Sequence, residues 1–221
     1  MRRPYDAVER RWDAGIHLAA LGVALVGAPL LVAGAVVWHG GVGAVAGVGL
    51  YGATLVTMLL CSYLYNHLDR PHLTDRLRRL DMSAIFVKIA GTVTPFAVLA
   101  GTGKVLVAAI WAAAALGVAV AVGLRRHPTL LSVGFGLGMG WGVLVAGRDV
   151  IAATSWPVMG LMLAGGLLYS LGTPFLMAER MRFHNAIWHG FVVAGSAAFF
   201  AAIALHARQT GALIETAGLP L

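Results

Sequence analysis

Seven apolar runs, each long enough to cross a bilayer, follow one another along the chain at 15–38, 42–65, 82–101, 104–124, 129–147, 157–177 and 184–206. A helix needs about 20 residues to span the hydrocarbon core, so the pattern predicts an all-α bundle of seven transmembrane helices. Most polar residues fall between the runs, but Ser62, Asn66, Asp81 and Lys88 stand inside or at the edges of the second and third. An ionisable group at such a place costs about 2.5–3.5 kcal/mol on insertion scales and is rarely there without a use. Between these two runs Leu73, Leu77, Leu80 and Ala84 recur at helical spacing with arginines among them. The third helix is therefore expected to start before residue 82, with Thr74 as its cap. In the fifth run Gly134, Gly138 and Gly142 share one helical row and Gly136 and Gly140 a neighbouring one, which predicts close packing of helix backbones. Pro29, Pro95 and Pro174 lie in or at the ends of spans and predict kinks. One bundle accounts for residues 1–221, with no linker, repeat or low-complexity tract.

Composition removes the soluble alternatives. With 59% hydrophobic residues, 11% charged residues and a mean hydropathy of +0.83, the chain does not fit a soluble domain. The net charge of +7 could suggest nucleic acid, but the positive residues are distributed between the runs and form no patch, so no nucleic-acid partner is expected. They report topology instead. One set of alternating segments holds Arg2, Arg3, Arg10, Arg11, Arg70, Arg76, Arg78, Arg79, Arg125, Arg126, Arg180 and Arg182, against Lys104, Arg148 and Arg208 on the other side. The positive-inside rule then places the N-terminus in the cytoplasm and the C-terminus outside, in a bacterial inner (plasma) membrane. The polar start and the length of the first run argue against a cleaved signal. Cys61 is the single cysteine, so no intrachain disulfide can form.

With that topology the second helix ends, and the third and seventh begin, at the cytoplasmic face. Ser62 and Asn66 are four apart, as are Asn185 and His189, and each pair projects from one helical face. Together with Asp81 they predict a buried polar layer, to which Tyr65 and Lys88 are added. His67 and His184, beside the two asparagines, read as interfacial histidines in contact with water. His17, His39, His72, His127 and His206 lie near predicted helix ends and need no special role.

Six stretches in order resemble the hemolysin III family, the bacterial branch of the seven-helix superfamily that includes the progestin and adipoQ receptors and, more distantly, alkaline ceramidases. They are E-R-R-W-D-A-G-I-H-L-A-A-L-G at 9–22, S-Y-L-Y-N at 62–66, the segment 80–95 with I-A-G-T-V-T-P, G-M-G-W at 138–141, G-G-L-L-Y-S-L-G at 165–172 and H-N-A-I-W-H-G-F-V-V-A-G-S at 184–196. The resemblance implies a zinc ion near the cytoplasmic face, held by one histidine of the second helix and two of the seventh, with a serine and an aspartate nearby and hydrolysis of a lipid amide as the chemistry. Ser62, Asp81 and His189 keep the family's residue types. Asn66 and Asn185 replace the other two ligands, and Met82 replaces a histidine that commonly follows the aspartate.

Carboxamide oxygens are poor zinc ligands beside imidazole or thiolate, and without the metal the activated water is lost. The expectation is a degenerate metal site in a non-catalytic or lipid-binding protein with a membrane lipid or amphiphile as ligand, and no zinc held in the family's manner. The enzyme question is left open. The alternative is a divergent, ceramidase-like hydrolase, zinc-dependent only if a shifted site forms from His67, His184 and His189. A one-residue step turns a side chain by about 100° on a helix, so both helices would have to rotate. A further alternative is proton or ion passage through Asp81, Lys88 and His189. Lys88 follows Asp81 by two turns, about 10 Å along the axis. It is expected either to snorkel or pair structurally, or to stand in for the missing cation. Because Lys88 belongs to the third helix and not the seventh, retinal-type photoreception is disfavoured.

Overall fold

The computed structural model describes residues 6–123 and 129–216. Arg2, Arg3, Arg125, Arg126 and His127, used above for topology and as a helix-end histidine, lie outside the described residues. The described chain forms eight helices: α1 (Ala7–His39), α2 (Val42–His67), α3 (Thr74–Leu99), α4 (Lys104–Gly123), α5 (Thr129–Ala146), α6 (Arg148–Ala152), α7 (Trp156–Met177) and α8 (His184–Thr216). Seven are long and apolar enough to cross a membrane; α6 is a single short turn between α5 and α7. The protein is an integral membrane protein built as a seven-helix bundle.

The first helix begins eight residues before its apolar run because a capping box starts it. Asp6 accepts hydrogen bonds from the Val8 and Glu9 backbone N–H groups, both at 2.9 Å, while Glu9 accepts from the Asp6 N–H at 3.0 Å. Apolarity marks where a helix meets lipid; the cap marks where it starts. At 33 residues, α1 is about 50 Å long and exceeds the hydrocarbon core. It ends at Gly40, whose φ of 62° is the left-handed conformation that glycine tolerates.

The third helix does start early, at Thr74, yet Thr74 is not its cap. Leu73 holds that position without a side-chain bond, and the Thr74 hydroxyl donates to the Arg70 carbonyl at 3.4 Å. Pro29, Pro95 and Pro174 each lie inside a helix that continues past them. The glycine row of α5 does not bring helices together: a Cβ on Gly134, Gly138, Gly140 or Gly142 would meet nothing within 4 Å, and only Gly136 faces α3, 3.5 Å from Ile89. Close backbone approach occurs instead between α7 and α8, where Gly165 and Gly195 face each other.

Neighbours in sequence pack side by side, and α8 closes on α1. Asp13 meets His189 near the start of both helices, and His39 meets Ala207 near their far ends. The two therefore run parallel, as an odd number of crossings requires. Glu9, 1% exposed, fixes this junction, because its Oε1 accepts from the Phe183 N–H at 2.6 Å. Phe183 takes a positive φ of 59° there, so one buried carboxylate holds the beginnings of α1 and α8 together.

Candidate metal centre and adjoining cavity

Asp13 and His17 stand four apart on α1 and project from one face. Asp13 is fully buried, and three histidines surround its carboxylate. His189 of α8 donates from Nδ1 to Oδ1 at 2.6 Å. His67, at the end of α2, brings Nε2 to 3.1 Å from Oδ2. His17 donates from Nδ1 to the Asp13 main-chain carbonyl at 2.9 Å, which leaves the Nε2 lone pair 3.2 Å from the Ser62 hydroxyl. The His17 ring lies 4.2 Å from that of His189 and 5.3 Å from that of His67, centroid to centroid.

Although Asp13 Oδ2 and His67 Nε2 are 3.1 Å apart, both are sealed from solvent and neither has a hydrogen-bond partner. The contact is an ion pair by distance but does not meet hydrogen-bond geometry among the described residues. One potential ligand atom from each of Asp13, His17 and His67 falls within 4.8 Å of the other two.

The residues singled out from sequence divide around this cluster. Ser62, Asp81 and His189 are buried and line one end of a cavity, with Asp81 beside both the Ser62 hydroxyl and His189. Ser62 has one proton for two acceptors, His17 Nε2 and the Asp81 carboxylate. Asn66 and Asn185 meet, but as partners of each other: Asn185 Nδ2 donates to Asn66 Oδ1 at 2.9 Å, and Asn66 Nδ2 donates to the Ser62 carbonyl at 2.9 Å. His184 does not join His67 and His189; its ring bonds the Phe175 carbonyl at 3.3 Å. The combination of His67, His184 and His189 is thus not assembled. Tyr65 lines the cavity.

Lys88 reaches neither Asp81 nor the water boundary. Its ammonium donates to the Tyr169 hydroxyl, which lies 2.7 Å from Ser196 Oγ, and it sits over the Tyr169 and Phe199 rings.

Of the histidines near helix ends, His72 is exposed and His184 half-buried. The His67 side chain is 7% exposed, and His17, His39 and His206 are buried. Sequence reasoning misses Asp13 because the first apolar run begins at residue 15, which leaves Asp13 outside the membrane layer, and without Asp13 beside it His17 reads as a helix-end histidine. Their i, i+4 spacing was the available signal, the same one that singled out Asn185 and His189.

The cavity encloses about 690 Å³ and runs between α2, α3, α5, α7 and α8. Its walls are mostly apolar beyond the Ser62–Asp81–His189 end, with Lys88, Thr92, Ser132, Thr154 and Tyr169 among the polar residues that interrupt them. The zinc positions implied by the resemblance do not suit a zinc ion here, since two of the three are carboxamides already bonded to one another.

Sequence comparison agrees with this architecture. A profile described as haemolysin-III related matches residues 10–200. The chain belongs to the haemolysin-III-related family. It is similar to a protein named hemolysin-3 homolog from Bacillus subtilis (strain 168), 38% identical over 154 residues that make up 68% of this chain and 72% of the relative. It is also similar to hemolysin-3 of Bacillus cereus, 34% identical over 175 residues, or 78% of this chain and 80% of that one. No solved structure matches the chain. Membership covers both halves of the cluster, because Asp13, His17, His67 and His189 all fall within the matched residues.

Proposed function

We infer that this haemolysin-III-like protein takes up a single-chain amphiphile from the bilayer and holds it in the cavity, with the polar head at the Ser62–Asp81–His189 end. The cavity itself carries the reading. Its volume of about 690 Å³ is that of a small-molecule site, and an apolar wall ending on a few polar groups is the usual form of such sites. Lys88 adds a sign, because its ammonium has a hydroxyl and two ring faces as neighbours and, among the described residues, no carboxylate at ion-pair distance. An anionic head is therefore favoured over a cationic one. The excess of arginine at this end of the bundle supports a position at the cytoplasmic face of a bacterial plasma membrane.

Dansyl-undecanoate added to the protein in nanodiscs should bind saturably. Met162→Trp, which fills the cavity, should abolish binding. Lys88→Met should weaken it about tenfold or more, the scale of one charge-assisted hydrogen bond. Non-saturable uptake, or unchanged binding in a folded Met162→Trp protein, would overturn the reading.

A second reading, hydrolysis of a lipid amide, is supported by the placement of Ser62 and Asp81 where the cavity meets the cluster. Water adds to the amide carbonyl and the C–N bond breaks. Asp81 takes the water's proton and passes it to the leaving amine, while Ser62 donates to the carbonyl oxygen. A fluorogenic ceramide analogue should then release its fatty acid with the wild-type protein and not with Asp81→Asn; equal release, or none from either, sinks this reading.

A further inference from the structure

We propose that Asp13, His17 and His67 bind a divalent transition-metal ion of zinc's class, in a site built by α1 and α2, with His189 of α8 orienting the aspartate. Neither α1 residue belongs to the ligand set that the resemblance implies. The site does not rest on the amphiphile reading.

The donor chemistry fits. Two imidazoles and a carboxylate suit zinc and its neighbours, with a fourth position left open. At zinc–ligand distances of about 2.0–2.1 Å, tetrahedral donors stand roughly 3.3 Å apart. Asp13 Oδ2 and His67 Nε2 are already 3.1 Å apart, and a His17 ring nitrogen lies within 4.8 Å of both partners, so metal binding requires that this ring draw closer to them.

The two orphaned atoms are the independent observation. A buried carboxylate oxygen and a buried imidazole nitrogen without a well-formed hydrogen bond are rare and costly, and here the two stand 3.1 Å apart as an ion-pair contact with no hydrogen bond to either among the described residues. A cation between them satisfies both lone pairs at once.

The surrounding hydrogen bonds are those that ligand histidines and carboxylates need. His17 donates Nδ1–H to a main-chain carbonyl, which fixes its tautomer and leaves the Nε2 lone pair, now facing Ser62, free to serve as a ligand. The other carboxylate oxygen of Asp13 accepts from His189, which fixes its orientation. Such outer partners orient ligands and raise their basicity. An ion on His17 Nε2 would also take the acceptor that Ser62 now faces, freeing the Ser62 proton for Asp81. Meanwhile Asn66 and Asn185 satisfy one another. Relative to the family's arrangement, ligation has moved from α8 toward α1.

The test uses the full chain, purified with a tag free of histidine, stripped with a chelator and reloaded with zinc. About one equivalent should remain after dialysis, as a folded structural or catalytic site retains. Asp13→Ala and His17→Gln should each remove it. Asn66→Ala combined with Asn185→Ala should leave it in place, and His189→Gln should weaken affinity about 10- to 100-fold, the usual effect of losing an outer-shell partner. No retained zinc in the wild type, or retention unchanged by Asp13→Ala and His17→Gln, overturns the proposal. So does loss confined to the asparagine pair. Should the α1 variants fail to fold, X-ray absorption of the zinc-loaded wild type decides: imidazole scattering from two rings with oxygen is expected, and an all-oxygen shell refutes the site.

Discussion

The α1–α2–α8 side of the bundle and the α5 side are built in opposite ways. On the first, polar groups interlock across helices: Glu9 ties two helix starts, the asparagines pair, and Asp13 sits among three rings. Glycines facing α8 are pressed; a Cβ on Gly172 would lie 2.7 Å from the Phe191 Cβ and 3.0 Å from the Trp188 ring. On the second, four glycines of α5 face open space and the helix forms one wall of a cavity. Tight packing is what holds side chains to the tolerance a metal or catalytic site needs. Loose packing leaves room for a ligand to enter from lipid. The difference teaches that the polar groups are held on tightly packed helices while the α5 wall of the cavity is left loosely packed.

The largest effect should come from breaking the packed side at its centre. In metal-free protein, Asp13→Ala leaves the His189 N–H without its acceptor and opens a void among the rings. An unsatisfied buried donor costs about 1–3 kcal/mol, and the lost charge-assisted bond places the total toward the upper end. A thermal melt in detergent that moves by only a degree or two would show that the carboxylate does not organise the three helices. Gly172→Ala should come next, at about 1–3 kcal/mol of overpacking, because Phe191 must move and Trp188 adjoins His189.

Much of the fold was legible because it depends on one strong signal. Apolar runs set seven spans, and the helices found agree with them to within a few residues at most ends. The exceptions have local causes: the capping box at Asp6 and Glu9 extends α1, and α8 continues ten residues beyond its apolar run to Thr216. The site was legible only by half. Ser62, Asp81 and His189 were found from polar residues interrupting apolar sequence. Asp13 was not, because it precedes the first run and its burial arises from α8 folding back over α1, a contact between residues 176 positions apart.

Histidine alone is a weak signal. His39 bonds the Ala207 carbonyl at 2.8 Å, and His206 is buried against the Phe96 ring. These are packing histidines at the far end of the same helices. What separates His17 and His67 from them is a carboxylate held between two α1 turns and the end of α2, which no linear pattern displays.

The smallest effect, Gly138→Ala, sharpens the contrast from the open side. A methyl group there meets nothing within 4 Å, so no overpacking term applies. Alanine is favoured over glycine in a helix by up to about 1 kcal/mol. The variant should therefore melt at or slightly above the wild-type temperature and bind the dansyl probe unchanged, since Gly138 does not line the cavity. Destabilisation would contradict the open-face description. If that destabilisation grew with protein concentration, the row Gly134, Gly138 and Gly142 would be packed against a second copy, and the spacing that predicted close helix contact would have been read correctly but for the wrong partner.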